Sequence, residues 1–204
     1  MYSNSKSSRS MNSAMFLALA VSIPSVAEAE TLQELAQRTH FHGIAFTRAG
    51  SAELTIASHH GLFAVVADGT VQQVSPTQDF MGFAPDPSDP LSYFASGHPA
   101  TGGNSGFLRS RDGGANWTQL SEGAGGPVDF HQMAVSYANS AVIYGSFGDI
   151  QTSIDGGSTW AVSGSAPDDL IALEASSLDA NRLYAATEGG LFQSENSEIG
   201  RAHV

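Results

Sequence analysis

The chain has 204 residues, no cysteine and a formal net charge of -12. The absence of cysteine excludes disulfides, zinc ribbons, thiol nucleophiles and iron–sulfur clusters, and the acidic excess argues against nucleic acid as a partner because phosphate binding needs a basic surface. The 22 glycines accompany 41% hydrophobic and only 14% charged residues. This balance indicates one folded domain with many turns, and hence β structure.

Residues 1–29 have the three parts of a secretory signal peptide. Lys6 and Arg9 give a positively charged start, an apolar stretch follows at 14–23, and small residues at 27–29 suit a cleavage site. The apolar stretch is too short to span a bilayer. We therefore expect an exported protein, periplasmic or extracellular, with no transmembrane segment after cleavage; a buried N-terminal helix is the alternative.

A lead-in over residues 30–39 precedes four repeats that occupy residues 40–196. Only 32–36 in this lead-in has helical spacing. Each repeat begins with an apolar triplet, at 44–46, 81–83, 133–135 and 171–173. Each triplet marks a first predicted strand, and a β-rich run after it marks a second. A third predicted strand follows, which starts at Gly61, Gly106, Asp149 and Gly190 in the four repeats. A period in the low forties with short strands predicts an all-β fold, a β-propeller of four-stranded antiparallel blades. A β-sandwich with coincidental spacing is the alternative.

Two copies of one motif, Ser-x-Asp-x-Gly-x-Asn/Thr-Trp, lie between the third and fourth predicted strands of the middle repeats. Their fixed positions are Ser110, Asp112, Gly114 and Trp117, and then Ser153, Asp155, Gly157 and Trp160. Aspartate can accept backbone N–H bonds within a turn, and glycine tolerates positive φ. Tryptophan is large enough to fold over the hairpin and pack between neighbouring sheets.

This motif resembles the Asp-box, or BNR, repeat of sialidase-like and sortilin-like propellers, and the resemblance covers residues 40–196. The segments 39–46, 58–63 and 96–99 also resemble a group of exported bacterial Asp-box propellers that are labelled glycosyl hydrolases. The resemblance implies that the boxes are scaffold, away from any binding face. In the first repeat the box is reduced to the turn Asp68-Gly-Thr, and in the fourth it starts at Ser194 and breaks off.

Residues 197–204 interrupt the fourth repeat before its last strand. The segment Ile199-Gly-Arg-Ala-His-Val204 matches a translated sequencing adapter, so we interpret this tail as non-native. A genuine polar tail is the alternative. The interpretation implies about four blade units of an incomplete propeller.

The histidines of the repeats map to one end of the predicted blades. They precede a first strand or follow a second strand, and in an antiparallel blade these positions share one face. Two aspartates and two methionines lie beside them. The candidate set is His40, His42, His59, His60, His98, His131, Asp79, Asp129, Met81 and Met133.

Imidazole with carboxylate suits a transition metal, copper or zinc, and thioether sulfur suits copper. Alternatively, the histidines bond loop backbone or fill the channel mouth. We therefore expect a propeller that binds a ligand or a metal on its histidine-bearing face, with a small ligand, a glycan or an extracytoplasmic protein as partner. The resemblance leaves two alternatives, a sialidase-like glycoside hydrolase and an assembly factor of the photosystem-assembly propeller type. The arginine cluster and Arg-Ile-Pro signature that a sialidase needs are not evident in the sequence, and no catalytic residue is assigned.

Overall fold

The computed structural model describes residues 29–196. The predicted signal peptide, except its last residue, and the predicted tail at 197–204 lie outside the described residues, and both stay predictions.

One helix and fifteen strands make up the described chain. The helix is α1 (Leu32–Arg38). The first sheet contains β1 (Phe41–Phe46), β2 (Leu54–Ser58), β3 (Gly61–Val65) and β4 (Val71–Gln73). The second contains β5 (Asp79–Pro85), β6 (Tyr93–His98), β7 (Phe107–Ser110) and β8 (Thr118–Ser121). The third contains β9 (Gln132–Val135), β10 (Ile143–Phe147), β11 (Asp149–Ser153) and β12 (Ala161–Ser165). The fourth contains β13 (Leu170–Ala175), β14 (Leu183–Thr187) and β15 (Gly190–Ser194).

Each sheet is an antiparallel meander in chain order, which is the structure of a propeller blade. The inner strands of successive blades pack together, β1 on β5, β5 on β9 and β9 on β13. The predicted all-β propeller with four blade units is therefore confirmed, with three strands of the fourth blade inside the described residues.

Helix α1 covers the outer face of the first blade. Thr31 and Glu34 form a capping box, in which the Thr31 hydroxyl accepts from the Glu34 N–H and the Glu34 carboxylate accepts from the Thr31 N–H. Leu35 is buried in an apolar cluster with Ile56 and Phe63 of the first blade. The helical spacing noted in the lead-in is therefore confirmed.

Apolar cores lie between successive blades rather than within them. One cluster joins Ala45 and Leu62 of the first blade to Phe80 and Tyr93 of the second. Equivalent clusters join the second blade to the third and the third to the fourth. A blade is only one sheet thick and cannot bury its own faces, so each blade depends on its neighbours for stability.

The first motif turn closes the hairpin between β7 and β8 with its own side chains. Ser110 Oγ donates to Asp112 Oδ1 (2.8 Å) and accepts from the Gly114 N–H (2.9 Å). Asp112 Oδ1 also accepts from the Asn116 N–H (2.9 Å). The indole N–H of Trp117 donates to the Gly114 carbonyl (2.8 Å), and the ring packs into the cluster between the first two blades.

The second motif turn, between β11 and β12, repeats this pattern. Ser153 Oγ donates to Asp155 Oδ1 (2.8 Å), and Thr159 Oγ1 donates to Asp155 Oδ2 (2.6 Å). Trp160 lies against Phe107 of the preceding blade, with ring centroids 4.9 Å apart. The predicted placement of both tryptophans between neighbouring sheets is thus what the structure shows.

The two outer repeats keep parts of the same turn. In the first repeat Asp68 Oδ1 accepts from the Thr70 N–H (2.9 Å) and from its hydroxyl (2.7 Å). In the fourth, Ser194 Oγ donates to Asn196 Oδ1 (3.1 Å), an arrangement like that of Ser110 and Asp112. The hairpin turn of the first repeat and the start of the turn in the fourth repeat therefore form where the sequence predicts them.

Replacing Gly157 by alanine should destabilise the protein strongly. The added Cβ would lie 1.9 Å from Phe107 Cε1, and the residue has a φ of +90°. Strain and overpacking together should lower the free energy of unfolding by roughly 3 to 5 kcal/mol. Gly156→Ala is the matched control, because its φ is +73° but nothing lies within 4 Å of the new Cβ. It should cost about 1 to 2 kcal/mol. Denaturant unfolding measures both, and equal losses would contradict this packing.

The turn at Asp155 should contribute to stability in a pH-dependent way. Hydrogen bonds from the side chain and backbone of Thr159, and then from Ser153, lower the pKa of Asp155 to about 2. Because the folded-state pKa lies below the unfolded one, this contribution is present above about pH 4 and is lost as the pH falls through the folded value. Asp155→Asn should therefore lose less free energy of unfolding than the wild type between about pH 4 and pH 2. Free energies of unfolding of the two proteins that change in parallel with pH over this range would refute the prediction.

Candidate functional site

The strand register brings the predicted histidines and aspartates to one end of the blades. Asp79 at the start of β5 pairs with His98 at the end of β6, and Phe41 at the start of β1 pairs with Ser58 at the end of β2. The motif turns lie at the other end, where Ser110 at the end of β7 pairs with Tyr93 at the start of β6. We call the first end the histidine face.

A bulge presents His42 on this face. The register of β1 against β2 shifts between Phe41 and Gly43, so His42 is the extra residue of the bulge. Bulges disrupt the ladder locally and redirect a side chain, which is why they recur beside functional sites. The Nε2 atom of His42 lies 3.0 Å from Nε2 of His59, in the turn between β2 and β3.

Asp79 joins the first blade to the second. Its Oδ1 lies 2.9 Å from Nδ1 of His59, and its Oδ2 lies 2.9 Å from Nδ1 of His98. The two carboxylate oxygens thus hold one imidazole from each blade. The carboxylate is three-quarters or more buried, since its side chain is 20% exposed.

Asp129 extends the cluster to the third blade. Its Oδ2 lies 2.8 Å from Nε2 of His131 and 3.3 Å from Nε2 of His98. Its Oδ1 is buried and has no hydrogen-bond partner among the described residues. When the His98 ring carries both protons, it donates to Asp79 and lies at ion-pair distance from Asp129, which links the second blade to the third.

The contacts determine which nitrogens carry protons in the His42–His59 pair. Asp79 accepts from Nδ1–H of His59, so Nε2 of a neutral His59 is an acceptor. The proton between the two rings then belongs to Nε2 of His42, which donates to His59. His59 therefore presents a lone pair on Nε2, while its other nitrogen is held by a carboxylate.

The surroundings of His42 lower its pKa and so favour the neutral imidazole. Burial lowers the pKa of His42, and the neighbouring His59 lowers it further, against an opposing attraction from Asp79. His131 and His40 act in the same direction as His59. Since neutral imidazole is the form that binds metal ions, this environment favours binding at a lower pH than an exposed histidine allows.

Three of the predicted residues have ligand atoms close enough to share one metal ion. These are His42, His59 and Asp79, whose atoms lie within 4.8 Å of one another. Two imidazole nitrogens bound to one tetrahedral zinc ion lie about 3.3 to 3.4 Å apart, given bonds of about 2.0 to 2.1 Å. The observed separation of 3.0 Å is a few tenths of an ångström shorter, as suits a hydrogen-bonded pair that would move slightly apart around an ion.

Other predicted residues lie on the same face or in the core without joining this triad. The His40 ring lies 5.6 Å from that of His59. His60 instead bonds the side-chain hydroxyl of Thr39 through Nδ1 (2.9 Å). Met133 is buried between the second and third blades.

Met81 lies in a bulge of β5, where the register shifts between Phe80 and Phe83. It is half-buried.

The arginines of the blades serve other contacts. Arg109 bonds Asp86 (3.0 Å) beneath the Phe94 ring, and Arg182 lies near Asp179 (3.9 Å).

Sequence patterns did not reveal a second feature, an apolar cavity of about 490 Å³ between the inner strands. Side chains from all four blades line it, including Arg48 and Glu174. Its residues come from the ends of β1, β5 and β9, near the turns that lead to the second strands, which places it away from the histidine face. Glu174, a charged residue within an otherwise apolar inner strand, is the one signal in the sequence, and it indicates a polar group there rather than a cavity.

No protein-family model and no curated protein matches the chain. Among solved structures, an ancestral GH74 enzyme matches 81% of this chain and 25% of its own, with a TM-score of 0.58 and 17% identity. The GH74 xyloglucanase from Xanthomonas campestris matches 84% of this chain and 25% of its own, with a TM-score of 0.56 and 21% identity. Regucalcin, a calcium-binding protein from Agrobacterium tumefaciens, matches 84% of this chain and 65% of its own, with a TM-score of 0.56 and 14% identity.

These likenesses show the β-propeller fold alone. The chain spans about a quarter of the length of the two GH74 proteins and about two thirds of the regucalcin chain. Within residues 29–196, no helix has the length and apolar character needed to cross a membrane.

Asp79→Asn should weaken the junction between the first two blades. An asparagine side chain has one acceptor oxygen and one donor nitrogen, so it cannot accept from both His59 and His98. We expect a loss of roughly 1 to 2 kcal/mol in the free energy of unfolding. Asp89→Asn is the control, because within residues 29–196 the carboxylate of Asp89 bonds only residues two and three positions away. It should cost less, and an equal effect of the two substitutions in denaturant unfolding would disprove the bridging role.

Proposed function

We propose that the protein binds a divalent transition metal ion, zinc or copper, on its histidine face. The observation that carries this proposal is the pair of imidazole Nε2 atoms 3.0 Å apart, one of them on a ring whose other nitrogen faces Asp79. A carboxylate behind a metal-binding histidine fixes the tautomer and raises the basicity of the ligand nitrogen. His59 has this arrangement before any metal binds.

Metal binding at this pair needs only one proton to move. The proton that His42 donates to His59 occupies the region between the two nitrogens, so a metal ion would replace it. His42 would then carry its proton on Nδ1 and offer Nε2 as a ligand. The lowered pKa of His42 supports the proposal, because little free energy is spent in deprotonating an imidazolium near neutral pH.

The remaining candidates could act around this pair. A carboxylate oxygen of Asp79 lies close enough to be a third ligand or to stay behind His59. Metal sites with few protein ligands keep positions open for water or another molecule. The proposal leaves Met133 out, because its side chain packs in the core.

Two further predictions about the setting of this site stay proposals. Export of the chain is supported by the charge and apolar pattern of residues 1–29. Membership of the Asp-box propellers is supported by the two motif turns, which form the same hydrogen bonds in successive blades.

Metal titration of the full chain tests the proposed function. Calorimetry with Zn²⁺ should show binding near neutral pH, and the nitrogen hyperfine pattern of bound Cu²⁺ in electron paramagnetic resonance should show two imidazoles. His42→Gln and His59→Gln should each weaken binding by tenfold or more, and Asp79→Asn by about ten- to a hundredfold.

His60→Gln is the matched control for this titration. His60 is the neighbour of His59 in the same turn, but its ring bonds Thr39. Its replacement should leave the affinity for either metal unchanged. The proposal fails if the wild type takes up no metal, or if His60→Gln weakens binding as much as the other two histidine variants do.

A further inference from the structure

The apolar cavity between the inner strands is lined in part by apolar side chains that are exposed to solvent. Its apolar lining includes Ile44, Phe46, Phe83, Pro85, Met133 and Tyr137. Ile44 and Phe46 are 66% and 81% exposed, whereas Phe83, which ends the corresponding triplet of the second blade, is 9% exposed. The cavity volume of about 490 Å³ lies in the range of small-molecule sites.

The polar groups in the cavity wall determine which charge it accepts. The guanidinium of Arg48 keeps its positive charge, but its Nη1 and Nη2 groups donate to the carbonyls of Asp86, Pro87 and Asp89, which hold it at that turn. Glu174 is the other charged residue of the lining. In the part of the chain that the structure describes, its carboxylate has neither a hydrogen bond nor an ion pair.

Although Glu174 as a residue is exposed, burial at the cavity wall partly withdraws water from the charged form of its carboxylate. This desolvation raises the pKa of Glu174. A cation beside the carboxylate would offset that cost, whereas an anion would add repulsion. Charge complementarity therefore favours a positively charged ligand, and the apolar walls favour one with a hydrophobic body.

We propose that this cavity binds an organic cation with an apolar body, whose ammonium group faces Glu174 and whose hydrocarbon part covers Ile44 and Phe46. None of the proposed metal-binding residues His42, His59 and Asp79 lines this cavity, so the two sites are separate. Either proposal can fail without the other.

Three probes of similar size and different charge test this inference on the full chain. They are 2-phenylethylammonium, the neutral 2-phenylethanol and the anionic 3-phenylpropanoate. Ligand-detected NMR at low ionic strength should show the cation binding about five- to tenfold more tightly than the alcohol, and the anion binding least. Added salt should reduce the preference for the cation, because it screens the carboxylate.

Substitutions separate the charge from the apolar wall. Glu174→Gln should weaken binding of the cation until its affinity lies within about twofold of that of the alcohol. Glu188→Gln, at an exposed turn, should leave the preference for the cation intact. Phe46→Ser should weaken all three probes, and its exposure means that folding should be retained. Equal binding of the three probes, no binding of any of them, or an unchanged preference in Glu174→Gln would overturn the proposal.

Discussion

Packing between neighbouring blades is the interaction on which the structure depends. A single antiparallel sheet has two faces to bury; here the facing sides of successive sheets bury each other, and helix α1 covers the outer face of the first. The motif turns reinforce this packing, because Gly157 and Trp160 lie against Phe107 of the blade before them. Stability should therefore be distributed along the row of blades, as in other repeat proteins.

The same packing builds the histidine face. No single blade contains the cluster, because His42 and His59 belong to the first, Asp79 and His98 to the second, and Asp129 precedes the third. Side chains that start or end inner strands meet only when the blades are correctly spaced. The apolar contacts between β1, β5 and β9 thus determine distances in a polar site that they do not touch.

The sequence predicted the blades well and the detailed site only in part. The triplets and the third predicted strands recur at a fixed period, and the hydrogen bonds of a turn such as Ser110–Asp112 are local, so both can be inferred from spacing. The pairing of His42 with His59 depends on a bulge, and His59 and His60 face different partners although they are adjacent. The cavity beside Glu174 combines residues of four blades, which no local pattern can reveal.

The shared carboxylate of Asp79 couples ligand occupancy to the cohesion of the propeller. Any ion held between His42 and His59 also fixes the imidazole that Asp79 contacts, and through Asp79 the second blade. A ligand that binds only the folded state adds a free energy that grows with the logarithm of its concentration. Under the proposed metal binding, the concentration of the ion in the surroundings would therefore change how strongly the first two blades are held together.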